Sequence, residues 1–203
     1  KISPEATTLV EVTSGNTGIA VAAFAAAKGY RARLYIQDFV SQERKQVIKA
    51  FGAELRIIGE IPTVQKVLEE TDGDFFAAAV ALKTALRNEP GIFFVDQAVN
   101  PSNPGAHYES TGKELWDDTD GALDILVAAV GTGGTISGVG HYLKERNPAL
   151  KIVGIQPGAL DKKVTGVHNF TDVPAERVPK NLDRSVIDEV FTATPEDAYA
   201  AAR

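Results

Sequence analysis

The chain has 203 residues, enough for one large domain or two small ones, and its 44% hydrophobic and 24% charged residues are ordinary for a globular protein. Its net charge of −6 gives no reason to expect nucleic acid or an anionic membrane as partner, and no apolar stretch approaches the length of a membrane span. Zero cysteines exclude disulfides, thiolate metal sites and a cysteine nucleophile among these residues, and fit a cytoplasmic location.

Strand and helix signals alternate from the start. A β-rich run over 8–12 leads into the turn Thr13-Ser14-Gly15-Asn16-Thr17-Gly18, and a helix of small residues over 16–28 follows, closed by Gly29. A strand over 33–37 comes next. Ser41 then opens a helix with Arg44 three residues on, half of a capping box; this helix carries Val47, Ile48 and Phe51 and ends at Gly52. A strand over 54–58, a short helix over 64–70, a strong helix over 75–88 and a strand over 91–96 complete this half. Residues 100–105 (NPSNPG) read as a loop separating two lobes, 1–98 and 99–203.

The alternation resumes with a helix over 107–116 and a strand over 123–130. The turn Gly131-Thr132-Gly133-Gly134-Thr135, a helix over 136–146 and a strand over 151–155 follow. Residues 158–184 are more polar and show no clear period. A last strand is predicted over 186–191, then a helix with Thr194 as N-cap and Pro195 at its first position. Repeated strand–helix–strand units imply an α/β fold, a mainly parallel sheet with helices on both faces. Ligands of such sheets bind beyond the carboxyl ends of the strands, where both glycine turns lie.

Each turn passes from a strand into a helix, where glycines let the backbone approach a ligand and the free N–H groups of the helix face an anion. The same cluster also serves as a plain tight turn, and the pattern admits both. Neither turn has the lysine of a P-loop. The second has Ile136 where a dinucleotide fingerprint needs its third glycine. Thr132 and Thr135 add hydroxyl donors, which suits a monoester phosphate better than a pyrophosphate. In the first turn, Ser14, Asn16 and Thr17 crowd three polar side chains into a tight loop. Helix capping accounts for one of Ser14 and Asn16, and the three together suggest recognition of a carboxylate or a ring substituent.

These residues resemble the cysteine synthase and cystathionine β-synthase family of fold type II pyridoxal-phosphate enzymes. The matching stretches run in family order over nearly the whole chain. They are Thr13 to Gly18; Ser41-Gln42-Glu43-Arg44-Lys45; Asn100-Pro101-Ser102-Asn103-Pro104; His107-Tyr108; Gly131 to Thr135; Asn181-Leu182-Asp183; and Ile187-Asp188-Glu189-Val190. The resemblance implies a two-lobed fold like the tryptophan synthase β subunit, with mainly parallel twisted sheets. It implies pyridoxal 5'-phosphate as cofactor, with its phosphate held by Gly131, Thr132, Gly133, Gly134 and Thr135 and its ring hydroxyl by Asn16. It implies a substrate α-carboxylate held by Thr13, Ser14, Gly15, Thr17 and Gln97, and Gly166 lining the site nearby. The partners it implies are a small amino-acid substrate and sulfide or a thiol, in a homodimer.

The family's Schiff-base lysine lies before the first turn, and Lys1 lacks its surrounding motif; no catalytic residue is assigned within the chain, which reads as a central fragment. The family's serine at the pyridine nitrogen falls beyond Arg203. Residues 59–90 are longer than in typical cysteine synthases. The activity implied is β-replacement, forming cysteine from an activated serine such as O-acetylserine and sulfide. The alternatives are another member (cystathionine β-synthase, diaminopropionate synthase or a serine/threonine dehydratase) or a non-catalytic truncated paralogue acting as a binding module. Of the remaining candidates, His107 is expected to be structural and His168 to lie on the surface. Asp117, Asp118 and Asp120 are expected to form a solvated turn, and Trp116 to fill core or interface.

Overall fold

The computed structural model describes residues 2–13, 15–158, 164 and 166–203. The chain divides into two units, Lys1–Asp96 and Gln97–Arg203, each built round its own apolar clusters.

In the first unit, β1 (Thr8–Val12) and α1 (Asn16–Lys28) follow the β-rich and small-residue runs of the sequence. After them come β2 (Arg31–Ile36), α2 (Gln42–Ala50), β3 (Glu54–Ile57), α3 (Pro62–Glu70), α4 (Phe75–Leu86) and β4 (Ile92–Phe94). The strands are parallel, in the order β3-β2-β1-β4. Successive side chains of a strand point to opposite faces, so neighbouring residues serve different cores. Leu34 packs with Val21 and Ala22 of α1 and Ile48 of α2, while Tyr35 packs with Val64 of α3 and Ala78 and Leu82 of α4. Helices thus cover both faces of this sheet. The strands step outward from β1 to β3, and β4 then returns to the other flank of β1. Strand order therefore reverses at β1, and the crevice beyond its carboxyl end is where such a sheet receives a ligand.

The second unit begins with a long helical segment in three stretches, α5 (Ser102–Ala106), a π-helical stretch (His107–Thr111) and α6 (Gly112–Asp118). The sequence reading expects a loop over 100–105, and the structure corrects it. Prolines are tolerated in a first turn, whose N–H groups have no intrahelical partner. Pro104 sits third in the helix, and the Asn100 side chain accepts the Ser102 N–H at 3.0 Å.

β5 (Ile125–Ala129), α7 (Gly134–Lys144), β6 (Lys151–Pro157), β7 (Glu189–Ala193) and α8 (Pro195–Ala201) complete the unit, with strands parallel in the order β5-β6-β7. Ile136, Val139 and Leu143 of α7 form the core with Val130, Ile152 and Phe170. Leu126 and Ala128 pack against this core, whereas Ile125 and Val127 are exposed, as is Phe191. The strand predicted over 186–191 starts only at Glu189. Val186 is instead buried in the core, and the Asp188 carboxylate accepts the Ile152 N–H and the Lys144 ammonium, each at 2.7 Å. Thr194 caps α8 with Pro195 in its first turn, and Asp197 completes the capping box.

Of the large apolar residues of α2 and its C-cap, Ile48 is fully buried while Val47 and the cap residue Phe51 are exposed by about two fifths, at 40% and 42%. Ile48→Ala is therefore expected to cost about 2–5 kcal/mol, the range for truncating a buried branched side chain. Val47→Ala is expected to stay within about 0.5 kcal/mol. Urea unfolding of both variants checks this, and equal losses would contradict the packing described.

Candidate functional site

β1 delivers Thr13 to the switch point of the first sheet. Thr13 is buried; its N–H donates to the Tyr35 carbonyl at 2.9 Å, and its hydroxyl accepts the Gly15 N–H at 3.1 Å. The chain then passes directly into α1 with Gly15 at the cap position. Of the two residues expected to cap this helix, Asn16 does not stand at the cap position. Gly15 has no side chain to cap with, and Asn16 stands exposed in the first turn. Ser14 itself lies outside the described residues. No acidic residue occupies this turn, so its N–H groups point at the crevice without a competing negative charge.

Two further residues of this loop escaped the sequence reading. A Cβ placed on Gly15 would lie 3.2 Å from Arg44 Nε, so the guanidinium of Arg44 rests against the loop backbone. Glu11 is buried at the end of β1, and its carboxylate accepts the Val12 N–H at 2.9 Å. For Arg44 the signal was its place in the first turn of α2; for Glu11 it was a charged residue in an otherwise apolar strand.

In the second unit, Gly131 to Thr135 join β5 to α7. Gly133 has φ 83°, the left-handed region that favours glycine, and a Cβ there would fall 2.6 Å from Leu182. A Cβ on Gly134 would fall 1.9 Å from Asn103 Oδ1. The loop backbone is therefore walled by Leu182 and Asn103 and has no room for side chains. α7 has no side-chain cap and no acidic residue in its first turn, while His141 and Lys144 occupy its last turn. Both distributions of charge suit the helix dipole and leave the positive end for an anion. Gly166 borders the loop, its carbonyl 2.7 Å from where a Cβ of Gly131 would stand, and the His168 N–H donates to the Val130 carbonyl at 2.7 Å.

The two threonine hydroxyls of the turn each meet a side chain of the 102–118 helical segment. Asn103 Nδ2 donates to Thr132 Oγ1 at 3.0 Å, and His107 Nε2 lies 3.1 Å from Thr135 Oγ1. The other ring nitrogen, His107 Nδ1, lies 3.0 Å from Thr111 Oγ1. The backbone carbonyl of Gln97 accepts from Asn103 Nδ2 and from Asn181 Nδ2, each at 2.8 Å. Thr13, Gly15, Asn16 and Thr17 thus gather in the first unit. Gly131 to Thr135, Gly166 and Gln97 gather in the second, with Asn103, His107 and Asn181 as neighbours that the sequence reading did not assign to the site. His168 is exposed, as expected. Asp117 pairs with Lys113, and among the described residues no three His, Asp or Glu side chains could hold a metal ion. Trp116 packs against the core.

The arrangement at Gly131 to Thr135 fits a phosphate monoester: an uncapped helix N-terminus, a cradle that side chains would fill, and two hydroxyls at its rim. The family profile described as "Pyridoxal-phosphate dependent enzyme" matches residues 2–203. The chain is 38% identical over 209 residues to a cysteine synthase of Buchnera aphidicola subsp. Acyrthosiphon pisum, covering 96% of this chain and 62% of that protein. It is 38% identical over 205 residues to the cystathionine beta-synthase of Mus musculus, covering 97% of this chain and 35% of that protein. A hydrogen sulfide-producing enzyme of Fusobacterium nucleatum superposes with a TM-score of 0.76 at 30% identity, over 97% of this chain and 62% of that one. The chain therefore spans less than two thirds of each of these relatives. Solved structures of this group share its α/β architecture of parallel sheets and helices.

Burial pushes the His107 imidazole below its ordinary value, which keeps it neutral at pH 7. An unfolded histidine takes up a proton below about pH 6.5; the native one resists it. The native state is therefore at no disadvantage from this group above that pH, and loses stability as pH falls from there towards the lowered native value. His107→Gln is expected to flatten the fall in urea midpoint between about pH 7 and about pH 5. An unchanged slope would rule out this contribution.

Proposed function

This chain belongs to the pyridoxal-phosphate dependent enzymes, and on that premise we propose that the protein it forms part of makes cysteine by β-replacement, from an activated serine such as O-acetylserine and sulfide. The observation that carries the reading is the cradle at Gly131 to Thr135, which fits the cofactor's phosphate. The identity to a cysteine synthase over nearly the whole chain supports it.

Under this reading the N–H groups of Gly133, Gly134 and Thr135, with the hydroxyls of Thr132 and Thr135, hold the cofactor phosphate. Gly166 borders the same loop. Asn16 receives the ring hydroxyl at the start of α1. Thr13, Ser14, Gly15 and Thr17 take the substrate carboxylate, with the side chain of Gln97 as a further donor. Arg44 adds a fixed positive charge beside that loop, which favours an amino acid bound by its carboxylate. When bound, pyridoxal phosphate supplies an electron sink that stabilises negative charge at the substrate Cα. The chain's own contribution is to bind and orient: phosphate at one turn, carboxylate at the other, with donors preset in the direction of each anion. A cytoplasmic homodimer, implied by the family resemblance, belongs to the same reading.

The test is a substrate panel on the full-length protein supplied with pyridoxal phosphate: O-acetylserine, O-phosphoserine and serine, each with sulfide or homocysteine. Cysteine from O-acetylserine and sulfide is the expected product. Cystathionine from serine and homocysteine would instead assign the activity named for the mouse relative. Absence of cofactor binding would overturn the enzyme reading and leave the truncated binding module.

A further inference from the structure

The two threonine hydroxyls of the second turn are not free rotors. We infer that Asn103 and His107, four residues apart in the 102–118 helical segment, act as a donor template that turns the protons of Thr132 and Thr135 outward, towards the anion in the cradle. The inference rests on the reading of that cradle as a phosphate site.

A hydroxyl has one proton to give and lone pairs to accept with. Whether a threonine can donate to an anion depends on where its other neighbour forces that proton. Asn103 settles this for Thr132. Its Nδ2 reaches both the Gln97 carbonyl at 2.8 Å and Thr132 Oγ1 at 3.0 Å. A carbonyl only accepts, so the amide nitrogen must be the end that faces this pair, and the side-chain orientation follows from chemistry. Thr132 then accepts from Asn103, and its own proton is left for the ligand.

His107 has the same duty at Thr135 with one more degree of freedom, its tautomer. With the proton on Nε2, the ring donates to Thr135 Oγ1, and Nδ1 accepts from the Thr111 hydroxyl 3.0 Å away. The Thr135 proton then points at the cradle. With the proton on Nδ1, Nε2 would consume the Thr135 proton, and the hydroxyl would turn lone pairs towards an anion. Only the first tautomer suits a phosphate, and Thr111 accommodates it by donating its hydroxyl proton to Nδ1.

The template is held by backbone contact. A Cβ on Gly138, one turn beyond Gly134 in α7, would fall 2.2 Å from the Pro104 carbonyl and 2.8 Å from His107 Cβ. Residues 104–107 therefore lie directly on α7, and Asn103 and His107 cannot slide relative to the loop that α7 begins.

The test uses the full-length protein freed of cofactor and titrated with pyridoxal phosphate. Asn103→Asp keeps the shape but replaces a donor with an acceptor and a negative charge; Asn103→Ala only removes the donor. Asp is expected to weaken binding more than Ala, and Ala itself by on the order of tenfold, one hydrogen bond's worth. His107→Phe is expected to lose a similar factor, with His107→Gln, which retains a donor, recovering part of it. Nitrogen-15 NMR of the wild-type loaded protein should find His107 protonated at Nε2 and not Nδ1, a readout that needs no variant to fold. Thr132→Val and Thr135→Val provide the control. If they weaken binding while Asn103→Asp and His107→Phe do not, or if His107 carries its proton on Nδ1, the template is wrong and the phosphate site stands. If the threonine variants also bind normally, the phosphate reading itself falls.

Discussion

The constraint on which the second unit turns is the set of unsatisfied N–H groups at the start of α7. A helix leaves its first N–H groups without partners, and most helices cover them with a serine, threonine or aspartate. Here the cap position is Gly133 and no side chain serves. A site that will meet an anion gains by keeping those donors uncovered, and the rest of the unit is arranged round that choice. Leu182 and Asn103 wall the turn, and the Ser137 hydroxyl accepts the Asp183 N–H at 2.8 Å, tying the 181–183 segment to α7. The first unit likewise places Gly15 at the cap position of α1, with Arg44 against the loop.

Much of this was legible in the sequence, because the features that make an anion site are local. Glycines at Gly131, Gly133 and Gly134 and hydroxyls at Thr132 and Thr135 occupy five consecutive positions between a strand and a helix. The pattern of apolar residues likewise marked the strands and helices in order, since strands covered on both faces read as short apolar runs while helices packed on them carry a period of about 3.6. What could not be read was whatever depends on approach between distant segments. Asn103 lies 29 residues from Thr132 and His107 lies 28 from Thr135. The contact of Arg44 with Gly15 exists only because α1 and α2 pack on the same face of the first sheet.

The helix over 102–106 was missed for a different reason. NPSNPG has the composition of a turn, and proline normally argues against a helix. The rule changes in a first turn, where the missing N–H costs nothing, and the Asn100 side chain takes up the free Ser102 donor. At α1 the chain enters the helix through Gly15, which leaves Asn16, a good capping residue, inside the first turn. In both cases a local preference was real and the position within the element decided its effect.

The π-helical stretch at His107–Thr111 has one residue more per turn than the helix on either side. Asn103 and His107 are spaced by four, the α-helical repeat, but His107 and Gly112 are spaced by five. A Cβ on Gly112 would meet Tyr142 Cβ at 2.7 Å, so position 112 also faces α7. Without the extra residue, everything after it would rotate by about 100°, and a bulkier position would be turned into α7. The stretch therefore keeps both Asn103 and Gly112 facing α7. One end of the helix reads the loop and the other seats the glycine contact, and the π-helical stretch sets the phase between them.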